Sequence, residues 1–232
     1  MAYEDFDPDE LYAPVAAHES IRHLVSIAAA LGLILERGHV SNAHLTGLLE
    51  TAIIMKEPND SSGKEAYPGM VCFLQRSIYG ARKACKIWGT VLHEALLSWG
   101  FIFSSVESRV YFVKKASSFI ILTVVADDLE FASNDREFIE SFKSYISTQF
   151  DDKLYGSLNS FIRWELTRTA EGTKVSKKQY AIRLLSRFGM EHCNTVSTPL
   201  AASSDLRPSN GEDVLLGPEE HHFYRSIVGA LA

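Results

Sequence analysis

The stretch FIILTVVADDLEFAS, Phe119 to Ser133, decides how this chain reads. Ile120 to Ala126 form an unbroken apolar run of strand length, which stops at two adjacent carboxylates, Asp127 and Asp128. Leu129 to Ala132 then lead away as a second short run. Two apolar strands meeting at paired carboxylates read as a hairpin whose tip aims oxygens at one point, as a hard cation requires. The same residues also make an ordinary Asp-Asp turn, because Asp is a common turn residue. From this stretch alone both readings stand.

Upstream, Val110 to Val113 joins Phe119 to Ala126 through a Lys-Lys-Ala-Ser-Ser turn, and the three runs make an antiparallel meander. Downstream, Asp135 caps a helix expected to reach about Gln149, with Phe138, Phe142, Tyr145 and Ile146 on its buried side. Earlier in the chain, Ser77 to Trp99 reads as one long helix. Ser77 is a candidate cap, although Gly80 weakens the first turn; Trp88, Leu92, Ala95, Leu96 and Trp99 form its apolar stripe, and Gly100 ends it. Another helix is expected over Glu19 to Leu31, then a short strand, Leu33 to Leu35, feeding Glu36-Arg37-Gly38-His39-Val40. Asn42 to Leu49 reads as a small helical piece, Ala52 to Met55 and Val71 to Leu74 as strands, and residues 56–70 as a loop. Glu171-Gly172 is a hairpin signal between Phe161–Thr169 and Lys174–Ser176. A basic amphipathic helix, Lys178 to Phe188, stops at Gly189, residues 201–220 are polar, and a last helix starts at His221. This mixture predicts an α+β chain: one antiparallel sheet with helices on one face.

Of the 232 residues, 46% are hydrophobic and 22% charged, enough for one large core or two small ones. No apolar run is long enough to span a bilayer, and MAYEDFDPDE has neither the basic nor the apolar region of a signal peptide. The expected setting is intracellular, cytoplasmic or nuclear, with no membrane partner. Three cysteines, Cys72, Cys85 and Cys193, lack a CxxC pair and read as packing residues in a reducing compartment. The net charge of −6 weighs mildly against nucleic-acid binding. Its distribution is uneven: residues 1–20 carry only acidic charge, whereas residues 163–187 hold Arg163, Arg168, Lys174, Lys177, Lys178, Arg183 and Arg187 against two glutamates. That stretch reads equally as a basic binding face or a solvated helix. No Gly-rich phosphate loop, Gly-x-Ser-x-Gly turn or zinc motif is present. His18, His23, His221 and His222 have no ligand spacing and read as surface residues.

Several words carry a resemblance: YAPVAAHESIR (12–22), SNAHLTGLLE (41–50), IIMKEP (53–58), VCFLQRSIYGARKACKIW (71–88), LLSWGF (96–101), VVADDLEFAS (124–133), QYAIRLLSRFGM (179–190), VSTPL (196–200) and YRSIVGALA (224–232). In order and spacing the chain resembles the reverse transcriptase region of copia-type retrotransposon Pol polyproteins, beginning after the family's upstream fingers strands and ending before ribonuclease H. The resemblance implies a right-hand polymerase fold. Residues 1–32 would be the lead-in and entry helix, 33–170 the palm-like core with a fingers-side loop at 56–70, and 171–232 a thumb-like segment. It implies magnesium, an RNA or DNA template-primer as partner, and a homo- or hetero-oligomer. In the family, three aspartates hold two magnesium ions about 3.5–4 Å apart, clamping the attacking and leaving oxygens. Asp127 and Asp128 match two of the three, and His39 stands where the third is expected.

Other departures accumulate. Val125 and Ala126 replace the family's Tyr-Val before the pair. His44 stands at the usually aromatic nucleotide-pocket position. Lys83 takes the place of a template-positioning glutamine, and Cys85 and Lys86 take those of a proline and an arginine. Arg163 sits where the family has glycine in its FLGI word. By resemblance His44, Lys83 and Lys86 belong to the pocket, and Arg163, Lys177, Lys178, Arg183 and Arg187 are the nucleic-acid candidates. Two functional readings follow. One is a reverse transcriptase domain whose two-metal catalysis is impaired by His39. The other is a non-catalytic fragment that binds nucleic acid or a protein partner.

Overall fold

In the computed structural model of the protein, residues 15–59, 67, 69–81, 83–150, 156–161, 164–200, 211 and 216–231 are described. The apolar run at the centre of the sequence becomes strand β6, Ser118–Val125, in the middle of a six-stranded sheet. Its neighbours are β5, Val110–Lys115, and β7, Asp128–Ser133. Beyond β5 lies the two-residue edge strand β4, Ile102–Phe103; beyond β7 lie β1, Ile34–His39, and β8, Gly156–Ser157. Every pairing is antiparallel, so the expected meander is present. The turn between β5 and β6 is tighter than expected: Lys115 pairs with Ser118, and Ala116 takes the left-handed conformation at φ 53°.

The helices are α1, His18–Ala30; α2, Ala84–Trp99; and α3, Arg136–Gln149. Asp135 caps α3 as expected, accepting from the amides of Glu137 and Phe138. One core joins Trp88, Leu92 and Leu96 of α2 and Ile139, Phe142 and Ile146 of α3 to Ile120, Leu122 and Val124 of β6 and Leu129 and Phe131 of β7. The alternation of strand side chains sends Ala132 of β7 and Leu35 of β1 to the opposite face. Both are buried, and neither belongs to that core. There α1 packs over β1, β6 and β7 through Ile21, Leu24, Val25 and Ala28. The expectation of helices on one face is corrected: the middle of the sheet is covered on both, which is why its central strands are apolar almost throughout.

Three further expectations change. Strand β1 continues past Leu35 to His39, although Glu36, Arg37 and Gly38 are poor strand formers. Pairing with β7 (Glu36 with Phe131, Arg37 with Glu130, His39 with Asp128) overrides propensity. The Glu36 side chain is buried but meets Arg136 and Lys143 of α3, the latter at 2.5 Å. Burial would raise its pKa; the hydrogen bonds and charges of Lys143 and Arg136 outweigh that and hold it below the ordinary glutamate value. The long helix from Ser77 starts only at Ala84, because Gly80 sits at φ 85°, outside helical space. Ser77 is buried before that turn, and Lys83 occupies the cap position without capping the helix through its side chain. The helical piece Asn42–Leu49 shrinks to a 3-10 turn, Ala43–Leu45, and Leu48 already begins strand β2, Leu48–Lys56.

Strand β2 pairs with β3, Val71–Arg76, as a separate ribbon. At the root of the ribbon is Gly47, buried against α2. A Cβ there would lie 1.9 Å from the Ile87 Cγ2 atom. A branched side chain on a helix cannot swing away, so Gly47→Ala is expected to cost about 1–3 kcal/mol by overpacking. Urea denaturation would measure it, and an unchanged midpoint would contradict this packing.

The described contacts divide the chain into two units, Met1–Asn159 with Arg168–Thr173, and Ser160–Thr167 with Lys174–Ala232. The second contains β9, Ser160–Phe161, most of β10, Trp164–Thr169, and of β11, Gly172–Ser176, and the helices α4, Lys178–Arg187, and α5, Pro218–Leu231. The Glu171-Gly172 hairpin and the stop at Gly189, φ 66°, are as expected. Within this unit the Tyr180 hydroxyl donates to Ala230 O, and Phe188 meets Phe223 edge-on at 5.7 Å. Among the described residues no helix is long and apolar enough to cross a membrane.

Candidate functional site

Strands β6 and β7 meet in a two-residue turn: Val125 pairs with Asp128, leaving Ala126 and Asp127 at the tip. Ala126 adopts φ 54°, a conformation that favours glycine and costs an ordinary residue about 1–3 kcal/mol. Two contacts hold it there. The Trp88 indole Nε1 donates to Ala126 O at 2.8 Å, and the amide of Val40, just past β1, donates to Asp127 O at 2.9 Å. The acidic turn is therefore fastened to helix α2 on one side and to the end of β1 on the other.

The end of β1 delivers His39, whose register partner is Asp128. The imidazole lies between the carboxylates, with Nδ1 3.1 Å from Asp128 Oδ1 and Nε2 3.9 Å from Asp127 Oδ2. All three side chains are partly exposed. Their ligand atoms fall within 4.8 Å of one another, the one such group among the described residues that could hold a metal ion. The structure thus brings His39, Asp127 and Asp128 together.

Two members of this corner escaped the sequence reading. Arg37 precedes His39 by two residues, so the period-two strand puts both on one face. Its Nη2 donates to Asp128 Oδ1 at 2.8 Å, the oxygen that His39 also meets. Glu130, two residues past Asp128 on β7, is fully buried on that face. Thr123 Oγ1 donates to its Oε2 at 3.3 Å, while Oε1 has no partner among the described residues. Burial, reinforced by the Asp128 charge and only partly opposed by Arg37, pushes its pKa up to about 8. Arg37 becomes readable once β1 is known to run to His39; Glu130 lies within the run Leu129–Ala132 already read as a strand.

His44 and α2 also meet. His44 Nε2 lies 3.8 Å from the Cys85 Sγ atom, and its ring stands 4.6 Å from that of Tyr79. Lys83 and Lys86 are exposed at the first turn of α2. The basic residues of α4 do not form one stripe. Arg183 and Arg187, four apart, share a face, but Lys178 lies about 140° round the helix from Arg183. Lys177 precedes the helix as its cap position, and Arg187 also donates to Ser226 Oγ at 2.8 Å. Arg163 lies outside the described residues.

Residues 1–202 match the family model described as reverse transcriptase (RNA-dependent DNA polymerase). The chain is 31% identical over 225 residues to the retrovirus-related Pol polyprotein from transposon RE2 of Arabidopsis thaliana; the match covers 97% of this chain and 15% of that protein. It is 32% identical over 234 residues to the retrovirus-related Pol polyprotein from transposon TNT 1-94 of Nicotiana tabacum, covering 97% of this chain and 17% of that one. The chain thus spans less than a fifth of the length of these curated relatives. No solved structure matches it.

Proposed function

The chain belongs to the reverse transcriptase (RNA-dependent DNA polymerase) family, in the region found in copia-type Pol polyproteins, and we propose that here the fold persists while template-directed nucleotidyl transfer is impaired. In this reading residues 33–170 are the palm, 1–32 its entry segment, 56–70 a fingers-side loop and 171–232 a thumb-like part. The six-stranded sheet backed by α2 and α3, with the acidic turn at one hairpin tip, supports the palm assignment.

The single observation that carries the impairment is the pairing at Asp128. A two-magnesium site needs hard oxygen donors in near-octahedral geometry. At this corner the third donor is an imidazole nitrogen, a poor partner for magnesium. Arg37 also places a permanent positive charge on an Asp128 oxygen. With a neutral imidazole, Arg37, Asp127 and Asp128 sum to one negative charge against the four positive charges of two magnesium ions. These residues do not fit the pair. What they do instead is hold one another: Arg37 and His39 take up the carboxylate that would otherwise present both oxygens outward.

Primer extension on an RNA template with a DNA primer and dNTPs, in magnesium or manganese, tests this directly. The expected result is no incorporation above a no-protein control. Incorporation that Asp127→Asn abolishes would overturn the reading.

The second reading, a fragment that binds a partner without catalysis, is favoured by the β2–β3 ribbon. It pairs with no other strand among the described residues, and its cross-strand pair Ile54 and Phe73 is 64% exposed at each residue. Isolated two-stranded ribbons are marginal in water, so an apolar one gains from a protein cover.

A further inference from the structure

We propose that α4 and α5 together form a docking face for the same two helices of a second copy of this chain, closing a two-fold four-helix bundle. The unit that holds them has a very small core. Within Ser160–Thr167 and Lys174–Ala232, only Trp164, Leu166 and Ala230 are buried apolar residues among those described. So few buried side chains do not offset the entropy of ordering two helices and a hairpin, and the apolar surface left outside calls for a cover.

That surface lies on one side of the helix pair. The helices run antiparallel: Tyr180, near the start of α4, bonds Ala230 near the end of α5, and Phe188, just past α4, meets Phe223 near the start of α5. On α4, Lys178, Ile182 and Leu185 share an edge about 150° round the helix from Tyr180, Arg187 and Phe188, the residues that touch α5. On α5, Glu220, Tyr224, Ile227 and Leu231 share an edge about 100° round from Phe223, Ser226 and Ala230, which touch α4. Both edges are reached by turning in the same sense, viewed from each helix's own N-terminus. In antiparallel neighbours that brings them to the same side. Ile182, Leu185, Tyr224 and Leu231 are all exposed there. The α5 edge borders an open groove of about 450 Å³ that also takes in Leu216, Glu219 and Phe223.

Charge selects the occupant. Helix α4 carries Lys178, Arg183 and Arg187 and no acid, whereas the groove on α5 carries Glu219 and Glu220. An isologous contact needs a surface complementary to itself. A two-fold axis parallel to the helices supplies it. Each α4 then lies antiparallel along the other copy's α5, basic helix against acidic groove, with Lys178 at the carbonyl end of that helix. The alternative face-to-face two-fold sets α4 on α4 and opposes like charges. The area is modest. Helix α5 is about 21 Å long and the pair about 20 Å wide, so each copy offers about 400 Å² in projection. That is the low end for a specific interface and implies a micromolar dissociation constant.

Sedimentation equilibrium of the full chain tests this. Between about 1 and 100 μM the mass should rise from that of one chain to that of two, and amide exchange in α4 and α5 should slow over the same range. Ile182→Asp and Tyr224→Asp, both at exposed positions, should each weaken association at least about tenfold. Lys178→Glu should weaken it about three- to tenfold, an effect that shrinks in high salt. Arg183→Ala, on the far side of α4, should behave as the parent. A single-chain mass throughout, association that grows past two chains, or a dimer indifferent to both aspartate variants would overturn the proposal. So would a chain that stays monomeric and binds an RNA–DNA duplex through Lys178, which would give this face to nucleic acid.

Discussion

Trp88→Ala is expected to lower the unfolding free energy by about 3–5 kcal/mol, a large share of the ~5–15 kcal/mol that holds a typical domain together. Trp88 is 2% exposed, sits in the core between α2 and the sheet, and stands edge-on to Phe150 at 5.2 Å. Its truncation leaves a large cavity at the point where the acidic turn is fastened. Trp88→Phe separates the two roles of the residue. It keeps most of the apolar volume but loses the hydrogen bond to Ala126 O, worth about 0.5–1.5 kcal/mol. Because that bond restrains a residue at φ 54°, the phenylalanine variant should also increase amide exchange at the turn and at the amide of Val40. Urea denaturation of both variants checks the first claim; a loss below 1 kcal/mol for alanine would contradict it.

Glu130→Gln is expected to flatten the alkaline side of the stability curve. The folded-state pKa of Glu130 is pushed up from 4.5 to about 8. The sign follows from proton counting. Between those pH values the folded chain keeps a proton that the unfolded chain has released, so stability falls as pH rises. It is fully present below the unfolded value and is lost as pH climbs through the folded one. At about 1.36 kcal/mol per pH unit, the total is on the order of 5 kcal/mol. Glutamine has the same shape and no charge to bury, and its side-chain oxygen can still accept from Thr123. The melting temperature of the parent should drop between pH 6 and 9, and that of the variant should stay nearly level. Parallel curves would contradict the burial of this carboxyl. Glu36 behaves in the opposite sense: its lowered pKa contributes stability above the unfolded value that is lost as pH falls through the folded one.

Much of the fold could be read from the chain because its meander is apolar and its punctuation is clear. Gly100 ends α2 at φ 107°, Asp135 caps α3, and the carboxylate pair interrupts the apolar run where the hairpin turns. The charged half of β1 could not be read that way. Glu36, Arg37 and His39 look like loop residues until β7 lies beside them, since their partners are about 90–100 positions away in sequence. The same blindness hid part of the site. The resemblance supplied His39, Asp127 and Asp128, and the structure brings them together. Arg37 comes from alternation along β1, which requires that strand to be known first; Glu130 lies in a run already read as a strand, and its burial follows from the covered face behind it. The long helix from Ser77 starts late for a local reason already visible in the chain: Gly80, which weakens a first turn, sits in the left-handed region.

The central claim is that the acidic hairpin is closed by an imidazole and a guanidinium instead of being opened by a third carboxylate. A crystal structure soaked with magnesium and a nucleotide would test it most directly. The expected result is His39 between Asp127 and Asp128, with Arg37 on Asp128 Oδ1 and no pair of magnesium ions. His39 swung clear of the turn, with two magnesium ions about 3.5–4 Å apart on Asp127 and Asp128, would contradict it.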